Sequence, residues 1–138
     1  MAKTPVTFKT DDYEPREVAM VSYNFNQATD KEGQMAGIPR GGKITVRVKA
    51  LNDPGKQNQL LQWMLDPIKK QNGSLVFLKS TDGSTLKEVK FEHAYCVNYT
   101  EFWEDQAGEG ESLAHYEEII ISCRRITNAQ AKFQNQWA

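Results

Sequence analysis

Residues 41–51, Gly-Gly-Lys-Ile-Thr-Val-Arg-Val-Lys-Ala-Leu, alternate between apolar and polar almost without exception. Ile44, Val46, Val48 and Ala50 fall on one face; Lys43, Thr45, Arg47 and Lys49 fall on the other. That is the period of a half-buried β-strand with a basic, wet face. A helix would scatter those charges around its circumference, and a strand buried on both faces would not carry so many. One face therefore packs while the other meets water or a charged partner.

With 138 residues the chain has the size of one domain, residues 1–138, and can bury a core without disulfide or metal staples. Its 17 basic and 18 acidic residues leave a net charge of −1, so no global field selects nucleic acid or an anionic membrane. Identical subunits of so little charge repel one another weakly, which permits self-association. The first residues, Met-Ala-Lys-Thr-Pro-Val-Thr-Phe-Lys, carry no apolar signal-peptide core, and no stretch approaches the ~18 residues of a membrane span. The expectation is a chain made in the cytosol, without membrane insertion. Cys96 and Cys123 sit in apolar strand patterns and are expected to be reduced, buried thiols rather than a disulfide.

A short strand is expected at residues 6–9. Residues 17–27 alternate, with Ala19, Val21, Tyr23 and Phe25 on one side and Ser22, Asn24 and Asn26 on the other. A Gly-rich linker follows at 28–42, about three times the usual hairpin loop, and loops that long in a compact domain tend to carry function. Asp53-Pro54 reads as an N-cap with proline at the first helical position. Leu60, Leu61, Met64, Leu65 and Ile68, with Trp63 beside them, give the helix a packing stripe. Pro67 should kink or shorten its last turn, and Lys69-Lys70 with Asn72-Gly73 supply the stop. Residues 74–79 form a strand, 81–84 carry an Asp-Gly turn, and Thr85 opens a long return strand with Val89, Phe91, Tyr95, Val97 and Tyr99 sharing a side. Glu101, Glu104, Asp105, Glu109 and Glu111 fall in an acidic loop at 101–111, before a final strand from about 116 to 126. The fold class is mainly β, a small antiparallel barrel with one flanking α-helix and a long extended loop.

Chemistry-bearing motifs are missing. The sequence contains no phosphate-binding loop, nucleophile elbow, metalloprotease helix or zinc-type cysteine spacing, and neither a cofactor nor a metal is expected. His93 and Cys96, three apart on a strand, point to opposite faces and cannot form a local dyad. The acidic loop lacks the ordered ligand alternation of a calcium loop. The basic stripe of Arg40, Lys43, Arg47 and Lys49 lacks the interleaved aromatic platforms of a single-strand nucleic-acid binder. Opposite charge on different parts of one surface suits head-to-tail contact between copies, and solvated faces fit the composition equally well.

The order of segments resembles a known family. It shows in Tyr23-Asn24-Phe25-Asn26-Gln27-Ala28-Thr29-Asp30, Gly33, then Pro39-Arg40-Gly41-Gly42-Lys43-Ile44. Further on come Gln62-Trp63-Met64-Leu65, Asn72-Gly73-Ser74, Phe91-Glu92-His93-Ala94-Tyr95-Cys96-Val97, Ile121-Ser122-Cys123-Arg124 and Phe133-Gln134-Asn135-Gln136-Trp137. Over nearly its whole length the chain resembles the type VI secretion tube family, haemolysin-coregulated protein or TssD, in its Bacteroidetes-like branch. Gly33-Gln34-Met35 departs from the Gly-Arg-Pro more usual there, which bears on the loop's path rather than on the family.

The resemblance implies a structural, non-catalytic subunit: six copies form a ring, and rings stack into a hollow tube. A contractile sheath wraps that tube, a VgrG-like spike tips it, a baseplate seats it, and effector proteins occupy its lumen. The protein is then cytoplasmic during assembly and later secreted or delivered into target cells without a signal peptide. On this sequence the stacking loop carries Thr29, Asp30, Gly33, Gln34, Met35, Ile38, Pro39 and Arg40. Lys43, Thr45, Arg47 and Lys49 are candidates for the lumen or a subunit seam. Phe102, Trp103, Phe133 and Trp137, outside the clearest strands, are candidate interface aromatics, with core packing the competing reading at each. The alternatives are a tube protein of an extracellular contractile injection system or phage-like tail, and a small-ligand-binding barrel with Tyr95, Val97 and Tyr99 lining its interior. A hydrolase would need His93 or His115 to meet a carboxylate and a nucleophile across strands.

Overall fold

The computed structural model describes residues 6–27, 29–35, 37, 41–50, 58–79, 81–105 and 113–135. Its elements, in chain order, are β1 (Val6–Thr10), β2 (Arg16–Tyr23), β3 (Lys43–Lys49), α1 (Gln59–Leu65), β4 (Gln71–Leu78), β5 (Thr85–Asp105), β6 (Leu113–Asn128) and β7 (Ala131–Gln134). The sheet order is β3-β2-β1-β4-β5-β6-β7, and β3 pairs back onto β6, so six antiparallel strands close into a barrel. Closure removes most of the edge that an open sheet would expose. One edge of β6 is shared in succession: β3 takes its residues 116–122 and β7 takes 125–128.

Alternation in β3 is as the sequence reads: Ile44, Val46 and Val48 are fully buried, and the intervening polar residues face out. They join Phe8, Leu75, Val89, Phe91, Ile119, Ile121 and Ile126 in one core, to which α1 adds Leu60 and Trp63. The Phe8 and Phe91 rings stack at 5.8 Å beside Gly73, where any side chain would run into the Lys9 carbonyl and the Phe91 ring. Cys96 and Cys123 are free and buried, and burial pushes their thiols up to about 11 and about 12.

Several expectations change. In β5 the strict alternation breaks at His93, which takes φ of +53° and donates its N–H to Asn72 Oδ1 at 2.9 Å. Val89 and Phe91 point inward before it; Ala94 and Cys96 point inward after it. That slip leaves Val97 facing solvent, and a second irregularity between Cys96 and Asn98 brings Tyr99 against the core. Two bulges in one strand thus overturn the expected shared side of Tyr95, Val97 and Tyr99.

The helix begins after Asn58, whose side chain makes no capping bond, and ends at Leu65, two residues ahead of Pro67, so proline shortens it rather than kinking it. The Asp53-Pro54 start signal lies outside the described residues. Because the helix stops early, Ile68 is off the packing stripe and 82% exposed, and Leu65 is 70% exposed. Asn72 and Gly73 belong to β4 and do not form the helix stop. Glu101, Glu104 and Asp105 are in β5 rather than in a loop, while 109 and 111 lie outside the described residues. The last strand, β7, carries Phe133 and has no counterpart in the sequence reading.

Candidate assembly surfaces

Four strands, in the order β2-β3-β6-β5, make one continuous polar wall on the outside of the barrel. Register places Thr45 opposite Ser22 on β2 and Ile120 on β6, and Arg47 opposite Met20 and Glu118; Thr100 and Phe102 of β5 follow opposite Glu118 and Tyr116. Arg47 binds Glu118 Oε1 through Nη2 at 2.9 Å and Nε at 3.2 Å, and its guanidinium lies 4.7 Å from the centre of the Phe102 ring. Lys49 reaches Glu17 at 3.6 Å. Lys43 has no ion-pair partner among the described residues. The polar stripe singled out in the sequence is therefore a partly self-neutralised wall, and Phe102 belongs to it as the platform under Arg47.

The wall has two open margins. β1 pairs with β2 only at Thr7–Glu17 and Phe8–Arg16, so beyond Glu17 β3 is the one partner strand of β2 among the described residues. The pairing of β4 with β5 ends at Ala94, so residues 96–105 have β6 as their one partner strand among the described residues. Beyond Lys49, whose partner is Tyr116, β5 and β6 continue past β3 as a two-stranded ribbon. There Trp103, 58% exposed, stacks on His115 at 3.5 Å, and His115 Nε2 meets Glu101 Oε2 at 2.5 Å.

The long loop is not featureless. Thr29 bridges to Met35, Asp30 donates its N–H to the Gln34 carbonyl at 2.8 Å, and the Asp30 carboxylate accepts from the N–H groups of Glu32 and Gln34 at 2.9 and 3.0 Å. Gly33 supplies the left-handed residue, φ +85°, that this turn needs. Residues 29–35 are all exposed, Met35 at 66%, so the turn is a self-bonded finger standing off the barrel. Ile38, Pro39, Arg40 and Trp137 lie outside the described residues. Phe133 is half-buried, tilted against Phe25 at 5.0 Å, and with Ile126, Asn128, Ala131 and Lys132 lines an apolar groove of about 310 Å³.

Sequence reasoning missed a buried ionic group. Arg16 and Glu117 are both enclosed and bonded at 2.6 Å; Arg16 also donates to the Lys49 carbonyl at 2.8 Å, and the Tyr99 hydroxyl donates to Glu117 Oε2 at 2.6 Å. Burial first, then the Glu117 carboxylate, raises the Tyr99 phenol well above its ordinary value. Charged residues flanking apolar alternations carry no signal in sequence for this, because the partners stand 101 positions apart. Among the described residues no group of three or more His, Cys, Asp or Glu is placed to hold a metal, and no helix is long and apolar enough to cross a membrane.

A closed barrel with an interior occupied by core side chains, an exposed finger, and a polar sheet with two open margins defines a structural subunit used from its outside. Residues 4–138 match the family described as Hemolysin coregulated protein Hcp (TssD), and the chain belongs to that family: it is an inner-tube subunit of type VI secretion. It is similar to Hcp1 from Flavobacterium johnsoniae, at 30% identity and a TM-score of 0.81 over 95% of this chain and 99% of that one. Hcp1 from Salmonella typhimurium shares the fold at 15% identity and a TM-score of 0.72, over 97% and 95% of the two chains. The tube-terminating cap of the anti-feeding prophage shares it at 15% identity and 0.56, over 91% and 88%. No curated protein matches the chain.

Proposed function

We propose that residues 1–138 act as one structural domain that closes into six-membered rings, stacks them into the hollow inner tube, and catalyses nothing. The observation that carries this reading is the wall itself: four strands bounded by two open margins, residues 18–23 on one side and 96–105 on the other. Heterologous pairing of unlike margins closes into a ring when the rotation fits, and it hides both edges. Lys43, Thr45, Arg47 and Lys49 then face the lumen rather than a seam. The finger at 29–35 is the stacking arm, preorganised by Asp30 and offering Met35 as its apolar contact. Trp103 on its ribbon and Phe133 in its groove are the aromatic contacts between copies.

Further partners follow from the family rather than from this chain's own contacts: a contractile sheath, a VgrG-like spike, a baseplate, and effector proteins in the lumen. Assembly precedes secretion and is placed in the cytoplasm. The ligand-binding barrel loses support, since Val97 is outside and Tyr99 is committed to Glu117. Light scattering followed by negative-stain electron microscopy tests the proposal. Rings or tubes at several times the mass of one chain are expected, and a monomer that persists at high concentration with spike protein present overturns it.

A further inference from the structure

We infer that the cleft where β2 and β3 meet the start of the long loop is a docking point for an acidic peptide segment, gripped by Lys43 and Arg124. The inference rests on the tube reading only for where cargo would meet this cleft, on the channel wall. Ser22, Tyr23, Asn24, Lys43, Thr45 and Ile120 line a hollow of about 340 Å³. Its charge is not self-cancelled. Arg47 is held by Glu118 and Lys49 by Glu17, whereas neither Lys43 nor Arg124 has an ion-pair partner among the described residues.

Position brings the two cations together. Ser122 stands directly opposite Lys43 across the β3–β6 pairing, and Arg124, exposed, lies two residues further along β6, just beyond the lining of the hollow. Lys43 and Arg124 are thus diagonal neighbours, a spacing that long side chains span. The guanidinium offers a two-pronged carboxylate contact and the ammonium a point charge. Ser22, Asn24 and Thr45 add hydrogen-bonding groups, while Ile120 offers apolar contact. A carboxylate side chain next to an aliphatic one matches that set; a basic segment meets uncompensated positive charge.

The probe is a fluorescein-labelled Glu-Leu-Glu-Leu-Glu-Leu peptide, titrated at low salt with the full chain and read by fluorescence anisotropy. The cleft is built within one chain, so dispersed chains should bind as well as rings. Lys43→Glu and Arg124→Glu are each expected to weaken binding by about tenfold or more. Lys43→Arg should retain it, and Lys49→Gln, which removes a cation already engaged by Glu17, should change it less than about twofold. Equal binding of a Lys-Leu peptide, unchanged binding by both charge reversals, or tighter competition by an oligothymidylate would overturn the inference, the last assigning the site to nucleic acid. Rings that fail to bind the peptide count against the cleft alone. Chains that bind it but never form rings count against the tube reading alone.

Discussion

Glu117 is the residue on which the barrel interior most depends. It is enclosed, and its two oxygens answer Arg16 and Tyr99, so Glu117→Gln leaves the Arg16 charge buried without a counter-ion. Removing one member of such a pair costs about 3–5 kcal/mol. The exposed Lys49–Glu17 pair should be worth less than about 1 kcal/mol when Glu17 is changed to Gln. Urea midpoints of the two variants test the contrast, and equal losses would contradict it. The same interior sets a pH response. Cys96, Cys123 and Tyr99 all have raised values in the fold, so on alkalinisation the unfolded chain loses those protons first. Stability should therefore hold below about pH 9 and fall as the pH climbs towards the thiol values near 11 and 12. A urea midpoint at pH 10 no lower than at pH 8 would refute this. At this scale the sequence was legible for Ile44, Val46 and Val48, where each residue's own neighbours specify its face. It was silent on Arg16 and Glu117, because burial of an ion pair is decided by a strand contact made across most of the chain.

Among elements, the join of β3, β6 and β7 depends on one glycine. Gly42 has φ of +91°, its carbonyl accepts the Cys123 N–H at 2.6 Å, and an added Cβ would meet the Asn135 amide and, at 2.8 Å, the Cys123 carbonyl. Gly42→Ala therefore combines a left-handed backbone with a clash against a strand that cannot move aside. A loss of about 2 kcal/mol or more is expected in a denaturant titration. Gly33→Ala has the same backbone problem with nothing within 4 Å, so its cost should stay near 1 kcal/mol. The finger permits a cleaner separation of assembly from folding. Asp30→Ala removes two hydrogen bonds that hold residues 29–35, all exposed, so the thermal midpoint should barely move while tube length in electron micrographs falls sharply. Tubes of unchanged length would remove the finger from the stacking contact. These elements also mark where periodicity stops being informative. It located β3, β4 and the body of α1, but His93 and the break after Cys96 insert bulges that a period of two cannot carry through. The segment Ala-Lys-Phe-Gln is too short to declare itself as β7 without the edge of β6 to pair with.

For the whole molecule, the question is what happens to the two unpaired margins when copies meet. Backbone groups on an edge exchange with solvent unless something covers them, and a ring built by joining β2 of one copy to β5 of the next covers both at once. A ring held instead by side chains of the Trp103 ribbon and the Phe133 groove would leave the edge amides as they are in the single chain. Hydrogen exchange separates these two constructions. In dispersed chains, peptides spanning 18–23 and 97–103 should exchange faster than the core of β6 at 119–123, which has strand partners on both sides. On ring formation, protection should rise in both margin peptides together, because each supplies the other's partners, while 119–123 stays unchanged. Protection of only one margin would mean that it pairs with a different segment. Rings with neither margin protected would show that the wall is interrupted at every subunit boundary. In that case the lumen is lined by six separate sheets, and closure of the ring rests on the aromatic contacts rather than on the backbone.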